Sequence, residues 1–179
     1  MPKRISNPRV LIPRDELESR VTELAKQIDQ DYRDSERLIA VGVLKGSVFF
    51  MVDLLKQMTV PVQVDFFQTS SYGGKTSPGE VRIKKDIDLW IRGADVLLIE
   101  DIVDTGYTLR TILDLLRFRG ARSVKLCALL DKSVRREVEV PIDYRGFEIE
   151  DHFVIGYGLD YDDYYRNLPY IGIYDGPTD

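Results

Sequence analysis

Several residue types are scarce in this 179-residue chain, and each scarcity closes a route to function. The one cysteine, Cys127, lies inside the apolar run 124–130, so no intramolecular disulfide is possible and the thiol reads as a core residue. The one histidine, His152, rules out a multi-histidine metal site. It has no nucleophile motif beside it and reads as structural or surface. Long apolar runs are missing as well. The longest, 48–55, is broken by Asp53 and is far too short to span a bilayer. Residues 1–7 are short, polar and basic with no apolar segment behind them, so no signal peptide is expected and the cytoplasm is the expected compartment. Positive charge is in deficit: 25 Lys and Arg stand against 30 Asp and Glu, a net charge of −5. That balance argues against a protein relying on broad phosphate contacts to nucleic acid, while leaving a local basic patch open.

The remaining composition, 44% hydrophobic and 31% charged, suits a folded domain with a good core plus a small appendage. No repeat, low-complexity tract or interdomain linker divides it. The most informative stretch is 96–109, VLLIEDIVDTGYTL. It begins as an apolar run fit for a buried strand of a parallel sheet and switches abruptly to Glu100, Asp101, Asp104, Thr105 and Gly106. Leu109, Ile112, Leu113 and Leu116 then fall on one helical face. The polar residues are therefore expected in a strand-to-helix loop at the carboxyl end of a strand, where open α/β sheets bind ligands. Thr105, Gly106, Tyr107 and Thr108 would present amides and two hydroxyls at a helix N-terminus, suited to a phosphate monoester. The acids upstream would repel that phosphate and so suit what is attached to it: sugar hydroxyls, a hard cation or a base proton. In the plainer reading, Glu100 and Asp101 are solvated strand-end residues and Asp104 and Thr108 merely cap the helix.

Before this stretch, Pro13, Asp15 and Glu16 mark a helix start, with Leu17, Val21, Leu24, Ala25 and Ile28 on its apolar face. Leu38–Val43 reads as an interior strand, followed by Lys45-Gly46-Ser47 and a helix over 48–58 with Val48, Met51, Val52 and Leu55 buried. Lys45 and Gly46 thus occupy a second strand-to-helix loop, which alone is weak evidence for anion binding. Val62, Val64 and Phe66 alternate as in a strand, 70–80 is rich in Gly, Ser and Pro, and 81–85 alternates again. The excursion between those strands is either a functional lid or a plain hairpin tip. Beyond it, 124–130 reads as another interior strand with Lys132 just past its end, and 141–147 and 153–157 as short aromatic strand-like pieces of a small hood.

The segment Glu100-Asp101-x-x-Asp104-Thr105-Gly106-x-Thr108 resembles the ribose-phosphate signature of the type I phosphoribosyltransferases, in particular their 6-oxopurine branch. The resemblance runs from Leu44 to Arg166, nearly the whole chain. It implies an α/β fold, a parallel-sheet core flanked by helices over about 10–135, with a small hood mainly over 136–179 that the N-terminal residues could join, and a flexible catalytic loop at about 70–82. It further implies transfer of phosphoribosyl from phosphoribosyl diphosphate to N9 of hypoxanthine or guanine, with Mg²⁺. Glu100 and Asp101 would address the ribose hydroxyls near the metal, 105–108 would wrap the 5-phosphate, and Asp104 would meet purine N7. Lys45 and Gly46 would hold the diphosphate, with a cis peptide at Leu44–Lys45, and Ser71 and Tyr72 would close over it. Lys132 would read the exocyclic oxygen, Phe153 would stack on the base, and Val154 would meet it through its backbone. Asp160 would lie near a second Mg²⁺ and Arg166 would contact the diphosphate. Tyr107 departs from the Lys, Arg or Gly common at its position, but only its amide is needed. A homodimer or homotetramer is implied, with no membrane or nucleic-acid partner. The competing readings are an RNA-binding attenuator of pyrimidine operons on the same fold, disfavoured by Asp104, Lys132 and the net charge, and a xanthine-preferring relative.

Overall fold

The computed structural model describes residues 8–72 and 80–176. In chain order they form β1 (Arg9–Ile12), α1 (Arg14–Tyr32), β2 (Leu38–Val43), α2 (Val48–Gln57), β3 (Val62–Tyr72), β4 (Glu80–Lys85), β5 (Asp95–Val103), α3 (Tyr107–Phe118), β6 (Ser123–Asp131), a single 3-10 turn (Ser133–Arg135), β7 (Tyr144–Glu148), β8 (Val154–Ile155) and β9 (Ile171–Ile173).

The main sheet has the order β4-β3-β2-β5-β6-β7. Every neighbouring pair in it is parallel except β3 with β4. Its inner strands are apolar on both faces because helices cover both sides. Along β5, Leu97 and Ile99 join the cluster under α1 and α2, while Val96 and Leu98 join the cluster under α3. The four apolar residues read for α3, Leu109, Ile112, Leu113 and Leu116, are its buried face, each contributing about 1.5–3 kcal/mol by leaving water. The α1 face is likewise as read, with Tyr32 added. From β2 the chain passes to β3 on one side, and β5 pairs on the other, so the strand order reverses at β2 and β5. Loops leaving the carboxyl ends of these two strands diverge and open a crevice, which is where ligands bind in such sheets.

The strand reading of β3 stands, with Asp65 and not Val64 turned inward, and three other local expectations are corrected. Helix α2 buries Phe50, Met51 and Leu54, and Val52 is 48% exposed. Its sequence VFFMVDLL is apolar on nearly every side, so spacing allowed more than one inward face. In β3, Val64 is exposed while Asp65 and Phe67 are buried. Asp65 tolerates this by accepting the amides of Phe66, Asp88 and Leu89. Strand β5 continues through Glu100 and Asp101 to Val103, so these acids stand on the strand and not in the loop. Strand β7 hydrogen-bonds to β6 in the main sheet, so the 141–147 piece does not belong to the small sheet. That small sheet has the order β1-β9-β8, which brings the N-terminal strand beside the last one.

Candidate active site

The loop between β5 and α3 is shaped by one glycine. Gly106 has φ +94°, and a Cβ there would lie 2.3 Å from the Val138 carbonyl oxygen, so a side chain is barred on both counts. Helix α3 starts at Tyr107 with no side-chain cap, and its first bond runs from Arg110 N to Gly106 O. The amides before Arg110 thus lack intrahelical acceptors and carry the positive end of the helix dipole. No hydrogen bond among the described residues engages the hydroxyls of Thr105 or Thr108, and Asp104 caps nothing, so the plain capping reading fails. The Thr105 carbonyl accepts the amides of Glu137 and Val138, both at 3.0 Å, which clamps the 136–140 segment onto the loop. Glu100, Asp104, Thr105, Gly106 and Thr108 together line a cleft of about 260 Å³, closed on its far side by Val43, Leu44 and Thr69. Tyr107 points its bulk outward at 42% exposure.

Glu100 and Asp101 differ from ordinary strand-end acids. Burial pushes the Glu100 carboxyl well above the usual carboxylate range, and the adjacent Asp101 adds to it. Asp101 is only 9% exposed and is also raised by burial, against the pull of its hydrogen bond with Glu100 and the amide of Ile102 at 3.0 Å. Two hard oxygen donors, Asp101 buried and Glu100 half-buried at the cleft, are thus held with few partners, an arrangement that a cation or sugar hydroxyls would relieve.

The second loop meets the first through Asp101. The Leu44–Lys45 peptide is cis. A Cβ on Gly46 would fall 1.6 Å from Asp101 Oδ2, so glycine is what lets the loop lie against that carboxylate. On its other side Gly46 O abuts Gly158, whose carbonyl accepts Arg166 Nη1 at 2.7 Å. Lys45 Nζ donates to Asp163 Oδ1 at 2.8 Å, and Arg166 Nη2 reaches the same oxygen at 3.0 Å and Asp160 at 2.8 Å. Lys45 first and Arg166 second hold the Asp163 carboxyl below its usual range. Asp162 and Asp163, at φ +51° and +63°, are in the left-handed region that non-glycine residues rarely adopt, a strain concentrated at functional sites.

On the third side, Lys132 is 6% exposed, so it is not the surface charge its position suggested. Its Nζ lies 3.6 Å from Asp151. Asp104 Oδ1 is 3.2 Å from Arg135 Nε without hydrogen-bond alignment and has no hydrogen-bond partner. Phe153 is 53% exposed and meets Tyr161 and Tyr174 edge-on at 6.0 and 5.7 Å. Val154 is buried in β8, paired with Ile173. Ser71 and Tyr72 end β3, facing Val81 and Glu80 of β4, and the loop joining them, with most of the 70–82 lid, lies outside the described residues.

The structure therefore gathers Glu100, Asp104, Thr105, Gly106 and Thr108 in one cleft, while Gly46 lies against Asp101 beside Glu100, and Lys45, Asp160 and Arg166 meet one another through Asp163 and Gly158. Among the described residues no three acidic, histidine or cysteine side chains are grouped so as to hold an ion by themselves. Asp160 is turned instead to Arg166 and to the amide of Asp163. A Glu100–Asp101 pair still fits Mg²⁺, which commonly takes one or two carboxylates and completes its shell with phosphate oxygens and water. Arg135, Asp151 and Asp163 were missed from sequence, their only trace being the spacings Lys132-x-x-Arg135 and Asp160-x-x-Asp163. A larger groove of about 600 Å³ between α1, α2 and residues 157–169 has no comparable convergence of acids, hydroxyls and open amides. No helix among the described residues is long and apolar enough to cross a membrane.

Comparison with known proteins agrees with this geometry. The model of the phosphoribosyl transferase domain matches residues 13–162. A hypoxanthine phosphoribosyltransferase of Haemophilus influenzae is 49% identical over 166 residues, covering 91% of this chain and 93% of that protein. A hypoxanthine-guanine phosphoribosyltransferase of Bacillus subtilis is 48% identical, covering 92% of each. A crystal structure of the hypoxanthine phosphoribosyltransferase of Staphylococcus aureus superposes with a TM-score of 0.89 at 46% identity, covering 92% of this chain and 90% of the other.

Proposed function

The chain belongs to the phosphoribosyl transferase family, and on that premise we propose that it transfers the phosphoribosyl group of phosphoribosyl diphosphate to N9 of hypoxanthine or guanine, a purine-salvage reaction giving IMP or GMP and diphosphate. The observation that carries this reading is the open amide-and-hydroxyl nest of 105–108 lying in one cleft with Glu100 and Asp104. The nest takes the 5-phosphate. Glu100 and Asp101 grip the ribose hydroxyls, and the same pair would hold Mg²⁺, which neutralises the departing diphosphate when bound. Lys45 and Arg166 bind that diphosphate in place of Asp163, which fills their charge in the structure. Lys132 donates to the purine 6-oxygen, Phe153 stacks on the ring, and Asp104, whose Oδ1 has no hydrogen-bond partner, accepts the N7 proton.

The bond from the anomeric carbon to diphosphate breaks with its electron pair on the diphosphate, and N9 donates the pair that forms the new bond. Positive charge develops on the sugar ring between these events, as in glycoside chemistry. Each charge-assisted hydrogen bond is worth roughly 1.5–3 kcal/mol, so phosphate contacts remote from the reacting carbon can contribute several kcal/mol toward alignment. Ser71 and Tyr72 close over the diphosphate and exclude water. The cytoplasm, and a homodimer or homotetramer, complete the proposal.

Steady-state assays with hypoxanthine, guanine, xanthine and adenine test it, and turnover is expected with the first two. Turnover with none of the four overturns the reading. Lys132→Ala should cost hypoxanthine and guanine about 10–150-fold in kcat/KM, the value of one charge-assisted bond. An equal loss with adenine would remove Lys132 from reading the 6-oxygen.

A further inference from the structure

Two of the groups assigned to the base, Asp104 and Lys132, lie on different elements, yet an alternating row of charges joins them. Asp104 Oδ1 is 3.2 Å from Arg135 Nε, Arg135 Nη1 is 3.7 Å from Asp151 Oδ1, and that same oxygen is 3.6 Å from Lys132 Nζ. The local fold explains the arrangement. Residues Ser133–Arg135 form a 3-10 turn, closed by Arg135 N donating to Lys132 O at 3.0 Å. Side chains three apart eclipse in such a turn, so Lys132 and Arg135 emerge on one side and reach the same carboxylate. The Glu137 and Val138 amides bonded to Thr105 O then press the turn against the loop that carries Asp104.

We propose that Arg135 is a positioning residue for the purine: its guanidinium spans Asp104 and Asp151 and thereby sets the acid that meets N7 and the ammonium that meets the 6-oxygen at a fixed mutual spacing. The inference rests on the proposed function and assigns that site two further residues, Arg135 and, through Lys132, Asp151. The physical need is visible in the unpartnered state of Asp104 Oδ1 and in the burial of Lys132, whose side chain is 8% exposed and requires a counter-charge. Arginine suits the place because its planar fork addresses two carboxylates at once, which a lysine ammonium does less well. The bridging charges themselves, at 47% for Arg135 and 56% for Asp151, are too exposed to matter much to folding. Their removal should therefore disturb base recognition and leave stability alone.

The test uses the full chain with hypoxanthine and phosphoribosyl diphosphate. Arg135→Gln should lower kcat/KM for hypoxanthine by on the order of tenfold while KM for phosphoribosyl diphosphate and the melting temperature stay at wild-type values. Arg135→Lys should recover part of the loss. Asp151→Asn should also depress hypoxanthine use, and Arg135→Gln added to it should cost less than in the wild type, because the two side chains act as one bridge. The proposal is overturned if Arg135→Gln matches the wild type, if both KM values and the melting temperature move together as a structural role would have it, or if the two substitutions add independently. The parent reading fails separately: there Asp104→Asn keeps near-native turnover, whereas a dead Asp104→Asn beside an unaffected Arg135→Gln removes only the bridge.

Discussion

At the N-terminal end of β5, Asp95 is 6% exposed, and near the carboxyl end Asp101 is 9% exposed, yet the two carboxyls are driven in opposite directions. Asp95 is surrounded by donors: Arg122, which pairs with both of its oxygens, and the hydroxyls of Ser123 and Ser35, each at 2.6 Å. Arg122 above all pulls its pKa far down. Asp101, buried to a similar degree, has Glu100 and one backbone amide for hydrogen-bond partners, and is raised. Both of these carboxyls are buried. What separates them is that one end is given its counter-charges by the fold and the other is left to wait for them. A carboxylate without partners costs free energy, and proteins retain that cost where a ligand repays it.

The largest effect on this contrast is expected from Asp104→Asn, at the underprovided end. Loss of a general base typically lowers rates by roughly 10²–10⁴-fold, and that fall in kcat is expected with no loss of melting temperature, since Asp104 makes no hydrogen bond among the described residues. Binding of Mg²⁺ and phosphoribosyl diphosphate, followed by calorimetry, should survive. An Asn variant that turns over like the parent would remove Asp104 from proton transfer and leave the contrast without a catalytic meaning.

The complementary substitution is Asp95→Asn, roughly 30 Å away along the strand at the usual rise per residue. It removes the charge that faces Arg122 and turns one of the two oxygens shared by Arg122 and two serine hydroxyls into a donor, and should cost about 2–4 kcal/mol of stability, with kcat unchanged. The pH dependence has a definite sign. A depressed carboxyl contributes stability that is complete above its unfolded pKa of about 3.9 and is lost as pH falls toward the lower folded value, so the gap between variant and parent should begin to narrow below about pH 4 and be smaller at pH 3 than at pH 7. Urea denaturation at pH 7 and pH 3 checks it, and a gap of equal size at both values would mean that Asp95 does not act through its charge.

The same strand shows what was legible in sequence. The switch from Leu97-Leu98-Ile99 to Glu100-Asp101 pointed to the end of β5 that lines the cleft, because a buried strand has no structural use for adjacent acids, and the helix face from Leu109 to Leu116 followed from spacing alone. The end of β5 was misplaced since strands carry acids out of a sheet as readily as loops do. The inward face of α2 was hidden by its apolar surplus, and the sheet membership of β7 depends on a parallel pairing that no local pattern encodes. Arg135, Asp151 and Asp163 were missed for a related reason. Each acquires its role only when a distant segment folds back: residues 151 and 163 come from late loops that meet charges fixed at positions 132 and 45. Spacing reveals side chains that share an element, and these pairs do not.

The smallest expected effect is the most direct probe of the cost carried by the catalytic end. Glu100→Gln removes a half-buried carboxyl that lies against Asp101 and should stabilise the protein by about 1 kcal/mol at pH 7, in the range usual when a functional site is relieved of its strain. The sign again follows from linkage. Burial first, and Asp101 second, raise the folded pKa of Glu100 above its unfolded value of about 4.3, so the folded state keeps a proton that the unfolded chain has released. The penalty therefore sets in as pH rises through about 4.3, grows until the folded value is passed, and is absent in acid. Variant and parent should unfold alike at pH 4 and separate toward pH 7, with the glutamine form the more stable and its affinity for phosphoribosyl diphosphate with Mg²⁺ reduced. A glutamine variant that is less stable at neutral pH would show that Glu100 has a structural partner after all, and the two ends of β5 would then differ in degree only.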